Sequence, residues 1–558
     1  MKACVWGMLL LFSGLCQAMA AAGDFQWLRT AGGNNAEVSR QIVVDDAGSS
    51  YIIGGFNSSN CPFGGIVLTN TLRTAYPTWD VFVVKYDSAG NVVWAVKLGG
   101  TNDDRGGGIA VDAQHNCYVT GYFDSTNFYI GALTLTNHAP SGNSSLFVAK
   151  FDAAAHLLWA DSPRSSTYSS SGARVAVDAA GNVYVAGSFR GTNNFGGTNL
   201  AGQGYGDALL LKYDATGNLL WARQAGGNDA DGAAGLALDA AGQVYLLANI
   251  RSTNAAFGNF TFAVKGTNTC QNIVVAKYDP AGNVLWAKEY GGLDIDAGAD
   301  LAIGPNTNCY VTGTFMSSNV VFGATTLTNT KGVPYGDIFV AVLNRNGDPL
   351  SAWAVHGDWS VGSTALAVDP VGNCYITGFF LGTNLVFNSD GQGGVTLANS
   401  DTNFYAGSAD AFVAKFDANG NVMRVFQTLG IADQRAWGVA VDAKGVPYVT
   451  GWTMGTNVWF GSIAATNAYL DLFVGKLDPG YPVLQVGVEN SVTGASGMVV
   501  VSWPWLQVGS ANAWVECSTN FITWTNANVF GSIIGMGRTY QLIPPTGDRV
   551  YYRLHLSP

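Results

Sequence analysis

The chain has 558 residues, more than one ordinary domain needs, with 38 acidic against 27 basic side chains and a formal net charge of −11. Charged residues are only 12% and hydrophobic residues 48%, so the chain can fill a large core and does not belong to the disordered class. The acidic balance argues against a nucleic-acid partner, which needs a basic surface to neutralise phosphate.

Residues 1–20 read as a secretory signal peptide. Lys2 is the basic start, 5–15 the short apolar run and Ala18-Met19-Ala20 a small-x-small cleavage site. The run is shorter than the ~20 residues that a membrane-spanning helix needs. Leu15 before Cys16 argues against a lipobox. No later stretch is long and apolar enough to span a bilayer. The expectation is therefore an exported protein (extracellular, cell-surface or periplasmic) with no transmembrane segment. Cleavage would leave Cys61, Cys117, Cys270, Cys309, Cys374 and Cys517. Export permits disulfides. However, Cys117, Cys309 and Cys374 each precede a Tyr at one place of a repeat, and equivalent places in different repeats are too far apart to bridge. They read as small buried apolar residues. No CxxC or Cys/His pattern suggests zinc.

Three anchors then recur along the chain. The first is a Tyr in strands such as GNVYVAG: Tyr51, Tyr118, Tyr184, Tyr245, Tyr310, Tyr375 and Tyr448, about 66 residues apart. The second is a strand of the DAFVAKFD type, at 80–87, 146–152, 207–214, 272–279, 337–344, 410–417 and 471–478. The third is a Trp in segments such as GNVLWAK: Trp27, Trp94, Trp159, Trp221, Trp286 and Trp353, with Arg424 at the seventh place. Each unit reads as four short strands, because alternating apolar and β-branched residues are bounded by Gly, Asn and Asp turns. No window shows a defensible 3.6-residue period. The loop between the second and third strands carries a Phe-Gly pair: Phe63-Gly64, Phe195-Gly196, Phe257-Gly258, Phe322-Gly323 and Phe460-Gly461. Seven such units predict an all-β fold, a seven-bladed β-propeller over residues 24–480. The first Trp strand, 25–32, precedes any other strand, and the last Lys strand has no Trp strand after it. The N-terminal segment should therefore close the last blade and remove an open edge.

The unit GNVYVTG…FVAKYD…GN.LWA…AVD resembles the bacterial seven-bladed β-propeller repeat, or SBBP repeat, of secreted and cell-surface proteins. The resemblance implies the propeller fold and no particular chemistry. The chain departs from it at Arg424, in an insert at 388–409, and at Pro447 before Tyr448. After about residue 481 the period ends. Residues 483–558 predict strands at 498–503, 513–518, 521–525, 539–543 and 549–554, a small β-sandwich. The run from Val515 to Trp524 and the closing Tyr551-Tyr552-Arg553-Leu554 resemble the fibronectin-type-III-like modules of bacterial secreted proteins.

In a four-stranded blade the one–two and three–four turns share one face, here the turn face. The two–three loops and four–one links share the other, the link face. Asp-x-x-Gly-Asn turns on the first face most simply satisfy their own backbone. On the link face, Glu37, Asp104, Ser170, Asp231, Asp296, Val361 and Gln434 stand six residues before each AVD segment. Glu37, Asp104, Asp231 and Asp296 form a partial carboxylate ring that could hold a cation or a hydroxylated ligand, or could cap local amides. Asp229-Ala230-Asp231-Gly232 and Asp294-Ile295-Asp296 faintly resemble calcium loops without the twelve-residue ligand spacing. Calcium stays an option, and no other cofactor is expected. Trp79, Tyr205, Tyr335, Tyr405 and Tyr469 precede third strands, and Trp359 and Trp437 lie in four–one links. Rings beside carboxylates suit a sugar, which has an apolar C–H face and a hydroxyl rim. The repeated strand Trp residues read as core. The five His residues are scattered, His115 in a one–two turn, and no HExxH, GxSxG or Walker motif occurs. The insert at 390–405 is the place where a unique site would break the repeat.

These observations predict a secreted, non-catalytic binding or scaffold protein, monomeric, recognising polysaccharide or a cell-surface partner. Two alternatives stand beside it. One is a propeller hydrolase or lyase using two carboxylates at the channel mouth. The other is a purely structural surface protein.

Overall fold

The computed structural model describes residues 25–478 except 71–76, 140–141, 164–167, 265–269, 330, 388–393, 401–407, 456–457, 462 and 466–469; of 479–558 it describes the backbone of the strands. The chain divides into two units, Met1–Asp478 and Pro479–Pro558. Among the described residues the one helical element is a 3-10 turn, Pro305–Thr307. Among the described residues no helix is long and apolar enough to cross a membrane.

The first unit is a seven-bladed β-propeller. Blade three shows the pattern: antiparallel strands Ser170–Val177, Val183–Phe189, Asp207–Tyr213 and Leu219–Ala225, in that order across the sheet. The other blades begin at Glu37, Asp104, Gly232, Asp296, Val361 and Gln434. Each first strand packs against the first strands of both neighbours, so the seven close a ring around a channel. Blade seven takes its fourth strand from the N-terminus: Phe25–Ala31 pairs with Asp471–Leu477. The expected closure is therefore present, and it joins the two ends of the repeat array.

Alternation sets the packing. The second-strand Tyr residues are at most 3% exposed. In six blades a third-strand Lys stands opposite and lays its ammonium 4.6–5.3 Å from the Tyr ring centre. Blade five has Val342 there. Second-strand glycines have a steric reason: a Cβ on Gly187 would lie 1.9 Å from the carbonyl oxygen of Ser171. That approach is tight because every first strand carries a β-bulge, between Gly172 and Arg174 in this blade.

The strand Trp residues do more than fill the core. Trp27 and Trp94 are buried, but Trp159, Trp221, Trp286 and Trp353 are half-buried. They reach the three–four turn of the next blade. Their indole N–H groups donate to carbonyls there: Trp27 to Ser88, Trp94 to Ala153, Trp159 to Ala215, Trp221 to Pro280 and Trp286 to Arg345, at 3.0–3.2 Å. Arg424 replaces Trp in blade six and makes the equivalent link, Nη1 to the Asp478 carbonyl at 2.9 Å. Under the ring lies a left-handed glycine. Gly217 has φ +91, and a Cβ there would lie 2.7 Å from Trp159. Gly217→Ala is expected to cost about 2 kcal/mol or more, from the left-handed backbone and the ring clash together. Gly197→Ala is the control, with φ +92 and open space around it. Thermal melts of both variants check this: equal shifts would remove the ring from the explanation.

The two–three loops differ from expectation. Each folds back as an extra hairpin; Thr192–Phe195 and Thr198–Ala201 form the one in blade three. The Phe-Gly pair is its turn. Phe63, Phe195, Phe257, Phe322, Phe387 and Phe460 are at most 2% exposed. Hairpins of blades two, six and seven also pair with the fourth strand of the preceding blade, as Val355 does with Phe387. Cys61 sits in such a hairpin strand. Cys61, Cys117, Cys309 and Cys374 are buried free thiols, and Cys270 is buried.

Among its described residues the second unit has seven strands in two sheets. Gln485–Glu489, Met498–Trp503, Gly537–Leu542 and Val529–Ile534 form one, and Thr525–Asn526, Ala513–Ser518 and Tyr551–Leu556 the other. Of the strand expected at 521–525, residues 521–524 lie outside the described residues and Thr525–Asn526 is a strand; Val529–Ile534 was not anticipated. Val529–Ile534 pairs in a tight hairpin with Gly537–Leu542, and Thr525–Asn526 pairs with the nearby Glu516–Cys517.

Candidate functional site on the link face

The predicted carboxylate ring is present, but its members do not open onto the channel. Asp104 is fully buried. Its Oδ2 accepts from the Gly100 N–H at 2.7 Å and the Ser125 hydroxyl at 2.8 Å. Its Oδ1 accepts from the N–H groups of Asp124 at 3.1 Å and Ser125 at 3.2 Å. Asp231 does the same with Gly227, Arg251 and Ser252, and Asp296 with Gly292, Met316 and Ser317. Glu37 accepts from the Gly33 N–H at 2.9 Å. Each acid thus clasps its four–one link to the end of its own second strand. Among the described residues the four form no cluster of metal-ligating groups, and each meets local donors in the manner of the capping alternative. Their pattern was in the sequence: a Gly four residues before each acid and a Ser 21 residues after it. Burial pushes Glu37 and Asp104 up to about 7 and raises Asp296, while the hydrogen bonds pull them back only in part. Asp231 and Asp296 commit both oxygens to these donors, so they offer calcium little.

The predicted rings fare differently. Trp79 lies under the Arg105 guanidinium, 3.9 Å from the ring centre. Tyr205 is 70% exposed, and Arg190 stands between it and Tyr168. Tyr335 packs on the exposed Trp359 at 5.2 Å. Tyr405 and Tyr469 lie outside the described residues, as does most of the insert at 390–405. Trp437 is not in a link. It is the bulge residue of strand Gln434–Val441, with Arg40 over its ring at 5.2 Å.

The arginines were missed. Arg435 stands between Phe379 at 4.2 Å and Trp452 at 5.5 Å and forms a two-pronged ion pair with Asp433. Arg174 reaches from blade three to blade five, Nε 3.6 Å from Asp300 Oδ1. Asp300 Oδ2 accepts the Leu366 N–H of blade six at 3.1 Å. Burial raises the Asp300 carboxyl and the Arg174 charge opposes that shift. The bulge residues of the seven first strands are Arg40, Gly107, Ala173, Ala234, Ala299, Thr364 and Trp437. Arg40 and Trp437 are the large ones, and they come from adjacent blades. An Arg where the repeat otherwise holds mostly small residues was the available signal.

The turn face is built from satisfied turns. Asp178 Oδ1 accepts the N–H groups of Ala180 and Asn182, and its Oδ2 accepts the Asn182 side chain. His115, in the one–two turn of blade two, reaches towards blade one. It holds a left-handed φ of 61° and points Nδ1 at Asp45 of blade one, 3.1 Å away. Asp46 joins them, but Asp45 already receives the Tyr51 hydroxyl. At the turn-face end of the channel lies a depression of about 380 Å³ lined largely by apolar residues such as Ile303, Pro305, Val368 and Val441.

Comparison with known proteins gives remote relatives. The WD repeat-containing protein L264 of Acanthamoeba polyphaga mimivirus, described as uncharacterized, is 24% identical over 481 residues, covering 74% of this chain and 33% of the viral protein. The regulatory protein FlaEY of Caulobacter vibrioides is 31% identical over 121 residues, covering 21% of this chain and 13% of that protein. The chain therefore spans a third or less of either relative's length. Among solved structures, a puromycin hydrolase (S511A mutant, complexed with PGG) aligns with TM-score 0.32 and 12% identity over 72% of this chain and 58% of that one. No family model matches.

Proposed function

We propose that the protein is an exported, non-catalytic binding protein whose link face recognises a polysaccharide. The observation that carries this reading is the set of exposed rings on that face, Tyr168, Tyr205 and Trp359 at 44%, 70% and 39% exposure. Large rings left in water around a rigid ring of blades suit recognition, and pyranose C–H faces stack on them. The repeat pattern supports placing the first unit with SBBP-repeat proteins and the second with fibronectin-type-III-like modules. The apolar start of the chain supports export. A hydrolase or lyase finds less support, because the carboxylates it would need at the mouth are committed to backbone amides. The test is a glycan array probed with the full mature chain and with its Trp359→Ala and Tyr205→Ala variants. Binding to a glycan class, reduced about tenfold in one of the variants, is the expected result. An array with no bound glycan overturns the reading in favour of a protein partner or a structural role.

A further inference from the structure

Arg40 presents a guanidinium to the channel with no carboxylate at ion-pair distance among the described residues. Arg40 sits in the middle of an innermost strand, bulged out of its sheet, and is nevertheless exposed to solvent. Its side chain therefore occupies the channel. Among the described residues it makes no ion pair or hydrogen bond, only the Trp437 ring contact. Arg105 also makes no hydrogen bond there, and its Nε is buried without an acceptor, as is the Trp437 Nε1. Enclosure by the channel wall, and after it the charges of Arg105 and Arg174, depress Arg40 below the usual guanidinium range. Asp300 is engaged by Arg174 and the Leu366 N–H. Asp103 and Asp124 lie on the Arg105 side. Three guanidiniums meet three carboxylates here, but Arg40 itself has no ion-pair partner among the described residues and presents a local positive field to the channel. Concave clefts focus such a field. A guanidinium stacked on a ring keeps its N–H edge free for two-pronged contact with a carboxylate or sulfate.

We infer that the channel mouth is an anion subsite, in which Arg40 on Trp437 and Arg105 on Trp79 receive the acidic groups of a charged polysaccharide. This rests on the polysaccharide reading above and narrows it to uronate-bearing or sulfated chains. Each guanidinium lies beside an apolar ring, which matches a uronate residue with its carboxylate at the edge of a C–H face. An acidic peptide offers the charge without that face.

The experiment measures binding of polygalacturonate, neutral dextran and poly-L-glutamate to the full mature chain by interferometry, at low and high salt. The variants are Arg40→Gln, Arg40→Lys and the exposed turn-face control Arg345→Gln, each first checked for an unchanged melt. Polygalacturonate is expected to bind, more weakly as salt rises. Arg40→Gln should weaken it about tenfold or more, Arg40→Lys less and Arg345→Gln not at all. Equal affinity in wild type and Arg40→Gln overturns the inference. Salt-independent dextran binding, indifferent to Arg40, overturns it too while leaving the polysaccharide reading intact. Binding of poly-L-glutamate without either polysaccharide overturns both.

Discussion

Deletion of the strand Phe25–Ala31 is expected to abolish the cooperative melt of the propeller. The strand supplies four buried side chains, Phe25, Trp27, Leu28 and Ala31. Phe25 meets Phe426 of blade six at 4.8 Å and Phe460 at 5.8 Å. Trp27 and Arg29 donate to the Ser88 and Gly90 carbonyls of blade one. One strand therefore joins three blades. Burying each large apolar side chain contributes about 1.5–3 kcal/mol. Its loss also leaves the third strand of blade seven as a bare edge open to aggregation. Calorimetry on the truncated chain, with and without the strand added as a peptide, measures this. A transition unchanged by the deletion would show that the ring does not depend on its clasp.

Asp104→Ala is expected to destabilise the fold by about 3–5 kcal/mol, because three buried N–H groups and a hydroxyl lose their acceptor together. Asp104→Asn keeps an acceptor oxygen and should cost less. The same group makes stability depend on pH. An Asp in an unfolded chain titrates near 4, and folding pushes Asp104 up to about 7, mainly by burial. Between these values the folded state binds more protons than the unfolded one. Its contribution is therefore fully present below about 4 and is lost as pH rises through about 7. Asp80 moves the same way, to about 6, with Lys97 at 2.7 Å opposing the shift. The wild type should thus be more stable at pH 5 than at pH 8, by roughly 1–3 kcal/mol, and Asp104→Asn should flatten that slope. Denaturant titrations at both pH values check the sign. Stability that climbs towards pH 8 would mean that the hydrogen bonds outweigh burial.

The link face shows why a site is harder to read from a sequence than a fold. Glu37, Asp104, Asp231 and Asp296 were found by their common place in the repeat. That regularity was itself a sign of a structural task, since a residue needed once per blade serves the blade. Arg40 and Trp437 break the pattern at one bulge position, and such breaks mark what is particular to this chain. Trp79 and Tyr205 were placed on the correct face, but the guanidiniums that stack on them come from other elements, and no local spacing announces that pairing.

The sequence alone determined the number of blades, their four strands and the N-terminal closure. Those features follow from alternation and turn chemistry repeated seven times, and a repeated local preference adds up to one global answer. Arg424 shows the limit: it looked like a lapse from Trp, and the structure makes it the same latch by other means. Tertiary structure alone decided which acids are sealed, which arginines meet in the channel, and that the Phe-Gly loops are hairpins binding one blade to the next. The Asp104 clasp joins residues 21 positions apart and the Arg174–Asp300 pair residues 126 apart, distances that local spacing does not encode and that the folded blades and the closed ring bring together.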